Sequence, residues 1–141
     1  PIFRGFDDVF YVPHSRHTEI RRCDIEKNPQ LKILSESSEA GVHIVMARNG
    51  REFFITGHSE YAPFTLDEEY KRDLTKGLNI KKPANYYIDN NPEKGPLVSW
   101  RSHANLLFSN WLSRNSLQFE RYSWLIFFIL TTIKSNYYEL F

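Results

Sequence analysis

The first half of the chain consists of short apolar runs separated by polar turns, which is the pattern of β-strands. Arg48–Arg51 carries an Asn-Gly pair and predicts a hairpin turn between the last two strands. The charged segment Ile20–Asn28 has weak helical character, and the polar Glu36–Gly41 predicts another turn. The predicted strands are Asp7–Pro13, Leu31–Ser35, Val42–Ala47 and Glu52–Thr56.

The second half contains two predicted helices joined by an irregular loop. The first begins at Thr65, a good N-cap that forms a capping box with Glu68, and ends before Gly77. Its apolar face repeats every four residues, at Leu66, Tyr70 and Leu74. The second helix spans Ser99–Leu112, with an apolar stripe of Leu106, Leu107, Trp111 and Leu112. Leu78–Pro96 is rich in proline, asparagine and glycine and predicts a loop, with Asn85–Tyr87 as a brief extended piece.

The last segment, Ser113–Phe141, has a different character. Trp124–Leu130 is an uninterrupted apolar run, too short to span a bilayer and poor in periodicity. It predicts either a buried element of a larger domain or sequence outside the ancestral fold.

Composition narrows the class of protein. The 141 residues are 41% hydrophobic and 16% aromatic, which indicates one ordered domain with a real core. A net charge of +1 gives no field that would attract nucleic acid or an acidic membrane. The single cysteine excludes an internal disulfide framework and fits a reducing, cytoplasmic location. Because the chain begins at Pro1 rather than methionine, we expect it to be processed, trimmed or a fragment.

The strongest candidate for chemistry is the pair His58 and Glu60, which follows the break at Gly57. On an extended backbone, side chains two residues apart point the same way. The carboxylate of Glu60 can then hold one imidazole nitrogen and leave the other free as a base. A surface turn without function is the alternative, and a metal site would need more ligands than these two supply.

Two further polar groups lie after the first predicted strand. His14 and His17 form an H-x-x-H pattern, but a loop is favoured over the helix that would bring both imidazoles to one metal. Ser15 is either a substrate-binding hydroxyl or a cap for the polar segment that follows.

Arg72 and Cys23 each have two interpretations. Arg72 lies on the first long helix, where it either pairs with Glu68 or binds a substrate carboxylate through its forked donors. Cys23 is the only thiol, and its flanking arginines would lower its pKa. Since no glycine-rich elbow or buried strand precedes it, we interpret Cys23 as structural or incidental.

Three segments in this order give the chain a family resemblance. Val12–Glu19 contains Pro-His-Ser-Arg, Phe54–Tyr61 contains Gly-His-Ser-Glu-Tyr, and Ser99–Leu112 reads Ser-Trp-Arg-Ser-His-Ala-Asn-Leu-Leu-Phe-Ser-Asn-Trp-Leu. Together they resemble the homoserine O-acyltransferases of the MetA type, from about Phe10 to Leu112. These are the homoserine O-acetyl- and O-succinyltransferases of methionine biosynthesis.

The resemblance implies an α/β, flavodoxin-like fold akin to class I glutamine amidotransferases and a Cys-His-Glu triad. His58 would be the base, Glu60 its orienting partner, and Ser15 and Arg72 substrate-binding residues. The implied reaction is ping-pong transfer of an acyl group from acetyl-CoA or succinyl-CoA to L-homoserine, with no resident cofactor or metal. Neither nucleic acid nor a membrane is an expected partner, and an exposed half-core would favour a homodimer or aggregation.

The chain departs from the family pattern in three respects. The family's nucleophilic cysteine precedes Pro-His-Ser-Arg, so Cys23, which follows that motif, does not correspond to it. Ala62 replaces the usual aspartate, and Ser113 onward matches no family pattern, as a shifted reading frame or chimeric end would explain. We therefore predict residues 1–112 as the C-terminal part of the acyltransferase domain, inactive alone, and 113–141 as a divergent tail. An amidotransferase-like cysteine hydrolase and a non-catalytic binding module stay open as alternatives.

Overall fold

A computed structural model describes residues 2–16, 18–116 and 137–140. Strands and helices are both present, so the predicted α/β class is confirmed at that level. The strands are β1 (Pro13–Arg16), β2 (Leu31–Ser37), β3 (Gly41–Ala47), β4 (Glu52–Ile55) and β5 (Tyr137–Leu140). The helices are α1 (Arg22–Glu26), α2 (Thr65–Thr75) and α3 (Arg101–Ser116), and three single 3₁₀ turns span Arg48–Gly50, Ile88–Asn90 and Pro92–Lys94.

The described strands form two antiparallel sheets. β2, β3 and β4 pair in chain order, and β1 pairs with β5. The turn between β3 and β4 confirms the predicted hairpin: Asn49 and Gly50 have φ values of 54° and 83°. Asparagine and glycine adopt this left-handed region at the lowest cost, which is why the pair marks a turn.

The strand predicted over Asp7–Pro13 is wrong. The first strand begins at Pro13, where the missing N–H removes no hydrogen bond from the sheet interior. Its partner is β5, more than a hundred residues later in the chain. Residues before Pro13 instead pack near α3, where His103 contacts Asp7 at 3.1 Å and the Asn110 amide donates to the carbonyl of Ile2 at 2.8 Å.

Helix α2 begins where predicted but is not capped as predicted. Phe64 occupies the N-cap position, and no side-chain cap hydrogen bond forms there. The backbone N–H of Asp67 donates instead to the Tyr86 hydroxyl, at 3.2 Å. At the other end the N–H of Leu78 donates to the carbonyl of Asp73 and Gly77 has a φ of 72°, so the predicted glycine stop is confirmed.

The predicted second helix is displaced toward the C-terminus. α3 starts at Arg101 and continues to Ser116, beyond the expected end at Leu112. Leu107 is buried, but Leu112 is exposed, as is Leu74 on α2, so both predicted apolar faces end earlier than the periodicity suggests. In the loop between the helices, Asn85 has a φ of 55° and interrupts the predicted extended piece.

Among the residues that the structure describes, most of the large buried apolar side chains fall into three clusters. One contains Leu66, Tyr86, Tyr87 and Trp100, the second Ile2, Ile44 and Leu107, and the third Ile25, Val42 and Val45. No helix within the described residues combines the length and apolarity needed to cross a bilayer. The apolar run Trp124–Leu130 lies outside the described residues.

Candidate active site

The segment before His58 crosses from one sheet to the other. The N–H of Thr56 donates to the carbonyl of His43 on β3, at 3.0 Å. Two residues later the N–H of His58 donates to the carbonyl of Pro13 on β1, at 2.7 Å. Gly57 alone spans the gap between these two hydrogen bonds. His58 is therefore held at the junction of the sheets by backbone contacts.

The side chains of His58 and Glu60 meet as predicted. Nδ1 of His58 lies 2.9 Å from Oε1 of Glu60. The backbone between them is not extended, however, because the N–H of Tyr61 donates to the carbonyl of His58 and closes a turn. A tight turn brings the two side chains together as well as a strand would, and it also redirects the chain toward α2.

The pair combines partial burial with access to solvent. The side chain of His58 is 22% exposed and that of Glu60 is 49% exposed. Partial burial of Glu60 opposes its ionisation, but the hydrogen bond with His58, a backbone hydrogen bond and the charge of His58 together outweigh this and lower the pKa of the carboxyl. Glu60 is therefore ionised at neutral pH, and a carboxylate at Nδ1 favours the tautomer that leaves Nε2 as the basic nitrogen.

Tyr61 joins this pair to α2. Its ring stacks on the imidazole of His58, and its hydroxyl donates to the carboxylate of Glu69 at 3.1 Å. The hydroxyl of Ser15 is a further hydrogen-bonding neighbour of the Tyr61 phenol. Burial, followed by the charge of Glu69, raises the pKa of the phenol, so Tyr61 stays a hydrogen-bond donor. His58, Glu60, Ser15, Tyr61 and Glu69 thus form one contact cluster.

Arg72 lies on α2, one turn after Glu69. Its Nε donates to Oδ1 of Asp73 at 2.8 Å, and its side chain is 52% exposed. Asp73, whose carboxylate is buried, is therefore a partner of Arg72, whereas Glu68 is exposed. Residues three apart share a helix face, so Arg72 and Glu69 present a cation and a carboxylate side by side.

Two buried histidines support the junction beneath His58. His14 and His43 are each only 1% exposed. Their rings meet edge to face, with centroids 5.3 Å apart. Burial is the main cause that lowers the pKa of both imidazoles, to about 3 for His43, and nearby Arg16 lowers it further. Both rings are therefore neutral at physiological pH.

Sequence reasoning missed several members of this site. Tyr61, inside the quoted motif, was not singled out, although an aromatic residue beside a histidine is a usable signal. Glu69 had a weaker signal, namely its spacing of three from Arg72. His43 had none, because alternation along a strand shows only that a residue is buried.

The remaining candidates lie away from this cluster. Cys23 is exposed on the short helix α1, which agrees with its interpretation as incidental. His17 lies outside the described residues, and among those described no group of three or more His, Cys, Asp or Glu side chains could hold a metal ion. A groove of about 830 Å³ between the N-terminal segment and β2 is lined by residues such as Phe6, Phe10 and His43 and does not include His58.

Comparison with known proteins identifies the family. A sequence model of the homoserine O-succinyltransferase family matches residues 1–122. Homoserine O-acetyltransferase of Bacteroides thetaiotaomicron is 72% identical over 112 residues, which are 79% of this chain and 37% of that enzyme. The enzymes of the same name from Parabacteroides distasonis and Acetivibrio thermocellus are 71% identical over 113 residues and 65% identical over 112. These stretches are 80% and 79% of this chain and 36% and 37% of those enzymes.

The chain thus spans a little over a third of the length of these curated relatives. The match includes every residue of the contact cluster around His58, because all of them lie within the residues that the family model covers. The chain belongs to the homoserine O-succinyltransferase family.

Proposed function

We propose that this chain carries the base and the substrate-binding residues of a homoserine O-acyltransferase. In this proposal His58 is the general base, Glu60 orients it, and Ser15 and Arg72 bind L-homoserine. The observation that carries the proposal is the 2.9 Å contact between His58 Nδ1 and Glu60 Oε1 in a chain of this family. Such a contact fixes a histidine in the orientation that general-base catalysis requires.

The proposed reaction has two acyl transfers. A cysteine thiolate attacks the thioester carbonyl of acyl-CoA, and CoA leaves as a thiol after taking the proton held by the imidazolium of His58. The γ-hydroxyl of homoserine then attacks the enzyme thioester while His58 accepts its proton. The cysteine leaves as a thiolate, and O-acylhomoserine is released. In these steps His58 holds and transfers the proton at Nε2, and Ser15 and Arg72 orient L-homoserine.

In this proposal Cys23 is not the nucleophile. Cys23 is exposed on α1, whose neighbour is β2, whereas His58 lies against β1. We therefore infer that the 141-residue chain alone has no acyltransferase activity. Incubation with acetyl-CoA or succinyl-CoA should leave the mass of the chain unchanged, and an acyl adduct on Cys23 would contradict this inference.

The proposed substrates follow the chemistry of the cluster and the names of the relatives. Arg72 suits the α-carboxylate of an amino acid because its guanidinium presents paired donors. The most similar relatives cited above are named acetyltransferases, which favours acetyl-CoA, while the family name keeps succinyl-CoA as the second donor. The proposal further includes a flavodoxin-like fold for the whole domain, the division of the chain at residue 112, no resident cofactor, a cytoplasmic location and a homodimer.

A chimera tests the function directly. Residues 1–112 of this chain would replace their counterpart in the Bacteroides thetaiotaomicron enzyme, which is 72% identical to this chain over 112 residues. We expect release of free CoA from acetyl-CoA that depends on homoserine and is lost in the His58→Ala variant. Parallel reactions with succinyl-CoA decide the donor. Glutamine hydrolysis without acyl transfer would instead support the amidotransferase-like alternative.

Ligand binding by the 141-residue chain separates catalysis from binding. Isothermal titration with L-homoserine should give binding that the Arg72→Ala variant lacks and that Arg48→Ala, a control on an exposed turn, retains. A chain that binds no homoserine, together with an inactive chimera, would favour a non-catalytic module.

A further inference from the structure

The position of His58 depends on a single residue that joins two sheets. Thr56 is hydrogen-bonded to β3 through the carbonyl of His43, and its hydroxyl also donates to the carbonyl of Val42 at 2.8 Å. His58 is hydrogen-bonded to β1 through the carbonyl of Pro13. Gly57 has no freedom to shift along the chain between these attachments, so its lateral position is set by what packs against it.

The atoms that pack against Gly57 come from two histidines and from Val12. A Cβ atom at residue 57 would lie 2.5 Å from Nε2 of His14, 2.7 Å from Cγ1 of Val12 and 2.9 Å from Cε1 of His43. The φ of Gly57 is outside the left-handed region, so a substituted residue would meet no backbone strain. Glycine is required here because of space alone, and the two histidine rings and the side chain of Val12 occupy that space.

The two histidines are themselves held in place. Both side chains are almost fully buried, and their rings pack edge to face. His14 follows Pro13 directly on β1, so the residue that accepts the hydrogen bond of His58 and the residue that packs against Gly57 are neighbours. A rigid support on one strand therefore fixes both the backbone of residue 58 and the residue before it.

We propose that His14, packed against His43, is a positioning residue for His58. Its imidazole forms the surface on which Gly57 rests, and this contact directs the ring of His58 to Glu60 and Tyr61. The neutral imidazole also places no charge beneath the base. This inference concerns the same site as the proposed function. It rests on that function only in taking His58 to be the general base.

A double-mutant cycle in the 141-residue chain tests the contact. All variants carry Val12→Ala, which removes the Cγ1 atom that would lie 2.7 Å from the added Cβ, and the cycle compares His14→Asn, Gly57→Ala and the double variant in that background. Asparagine lacks the outer ring atoms that face Gly57, so the added methyl group can occupy their space and the ring of His43 can move aside into it. The readouts are the unfolding equilibrium constant in urea and the ¹⁵N and ¹³C shifts of the His58 ring, which report its tautomer. We expect each single variant to lose the Nδ1–H signature of His58 and the double variant to recover it.

If the two substitutions acted independently, their fold-changes in the unfolding equilibrium constant would multiply. We expect the unfolding constant of the double variant to be at least tenfold smaller than that product, so that the double variant is more stable than independence predicts. Leu107→Ala is the control, because Leu107 is equally buried but belongs to the cluster of Ile2 and Ile44. It should destabilise the chain and leave the His58 tautomer unchanged. Additive effects in the cycle, or a tautomer that Leu107→Ala alters as much as His14→Asn, would overturn the proposal.

Two outcomes separate this inference from the proposed function. The tautomer is measured without substrate or turnover, so an inactive chimera would count against acyl transfer and not against the positioning of His58. If Gly57→Ala alone does not fold, a soluble double variant with the Nδ1–H signature restored still supports the proposal. A double variant that also fails to fold would contradict it, because the added methyl group would then have no space even without the imidazole.

Discussion

The phenol ring of Tyr61 stacks on the imidazole of His58, with centroids 4.3 Å apart and ring planes 17° apart. The carbonyl of Tyr61 also accepts a hydrogen bond from Nε1 of Trp100, at 3.1 Å. The cluster of Leu66, Tyr86, Tyr87 and Trp100 is thereby connected to the candidate base. Tyr61 therefore contacts the ring of His58, the hydroxyl of Ser15 and Glu69 of α2.

Two substitutions at Tyr61 separate its ring from its hydroxyl. In the chimera, Tyr61→Phe keeps the stacking on His58 but removes the hydrogen bond to Glu69, so we expect a higher KM for homoserine with kcat within about threefold of the parent. Tyr61→Leu also loses the ring contact, worth about 0.5–1.5 kcal/mol, and should lower kcat by about tenfold. Steady-state kinetics with homoserine varied would show this. Equal effects of the two variants would contradict the separate roles.

Substitution of Glu60 tests whether the carboxylate orients the base. Glu60→Gln keeps the size of the side chain but replaces an acceptor oxygen with an amide, which can hold the wrong tautomer of His58. We expect kcat of the chimera to fall by about 10²- to 10⁴-fold with little change in the KM for homoserine. Glu93→Gln, on an exposed 3₁₀ turn, is the matched control and should have no effect.

The buried histidines predict acid sensitivity of the fold. The pKa values of His14 and His43 are lowered in the folded state, in which burial and the charge of Arg16 oppose protonation, and His43 and His58 add to the effect at His14. Between a pH of about 3, the pKa of folded His43, and about 6.5, the unfolded chain binds protons that the folded chain does not. Stability should be complete above pH 6.5 and fall as the pH is lowered through this window.

The expected slope is up to about 1.4 kcal/mol per pH unit for each histidine. Urea unfolding of the 141-residue chain at several pH values between 4 and 7 measures it. The variant His43→Phe removes one titrating group from the same buried position and should lessen the slope by about half. A slope unchanged in that variant would show that other groups dominate acid unfolding.

The hydrogen bonds of Asp67 should stabilise the contact between α2 and the loop. Its buried carboxylate accepts hydrogen bonds from the Tyr87 hydroxyl, at 2.8 Å, and from Lys71, at 2.7 Å. Asp67→Ala leaves the Tyr87 hydroxyl buried without this acceptor, so we expect a loss of about 1–3 kcal/mol in the free energy of unfolding.

The double variant Asp67→Ala with Tyr87→Phe removes both partners. It should be less destabilised than the sum of the two single variants, because no buried hydroxyl then lacks its acceptor. Urea midpoints at constant slope provide the comparison. Strictly additive losses would indicate that the hydroxyl finds another partner in the Asp67 variant.

Local sequence determined the elements whose hydrogen bonds and turn chemistry are local. The hairpin from Val42 to Thr56 followed from two short apolar runs and the Asn-Gly pair between them, and the end of α2 followed from Gly77, because these depend on neighbours in the chain. The pairing of His58 with Glu60 was also predictable, since two residues of spacing bring the side chains together in a strand or a turn. The motifs were sufficient to indicate the family.

Long-range packing decided the rest. The first strand begins at Pro13 rather than Asp7 because its partner is β5, and α2 is capped by Tyr86 from the following loop rather than by Thr65. Gly57 could be recognised in the sequence only as a break. Its role depends on His14 and His43, which lie on two strands and, together with Val12, fill the space that a side chain would need. Contacts of this kind join residues distant in sequence, so no local pattern records them, and only the tertiary structure reveals what holds the candidate base in place.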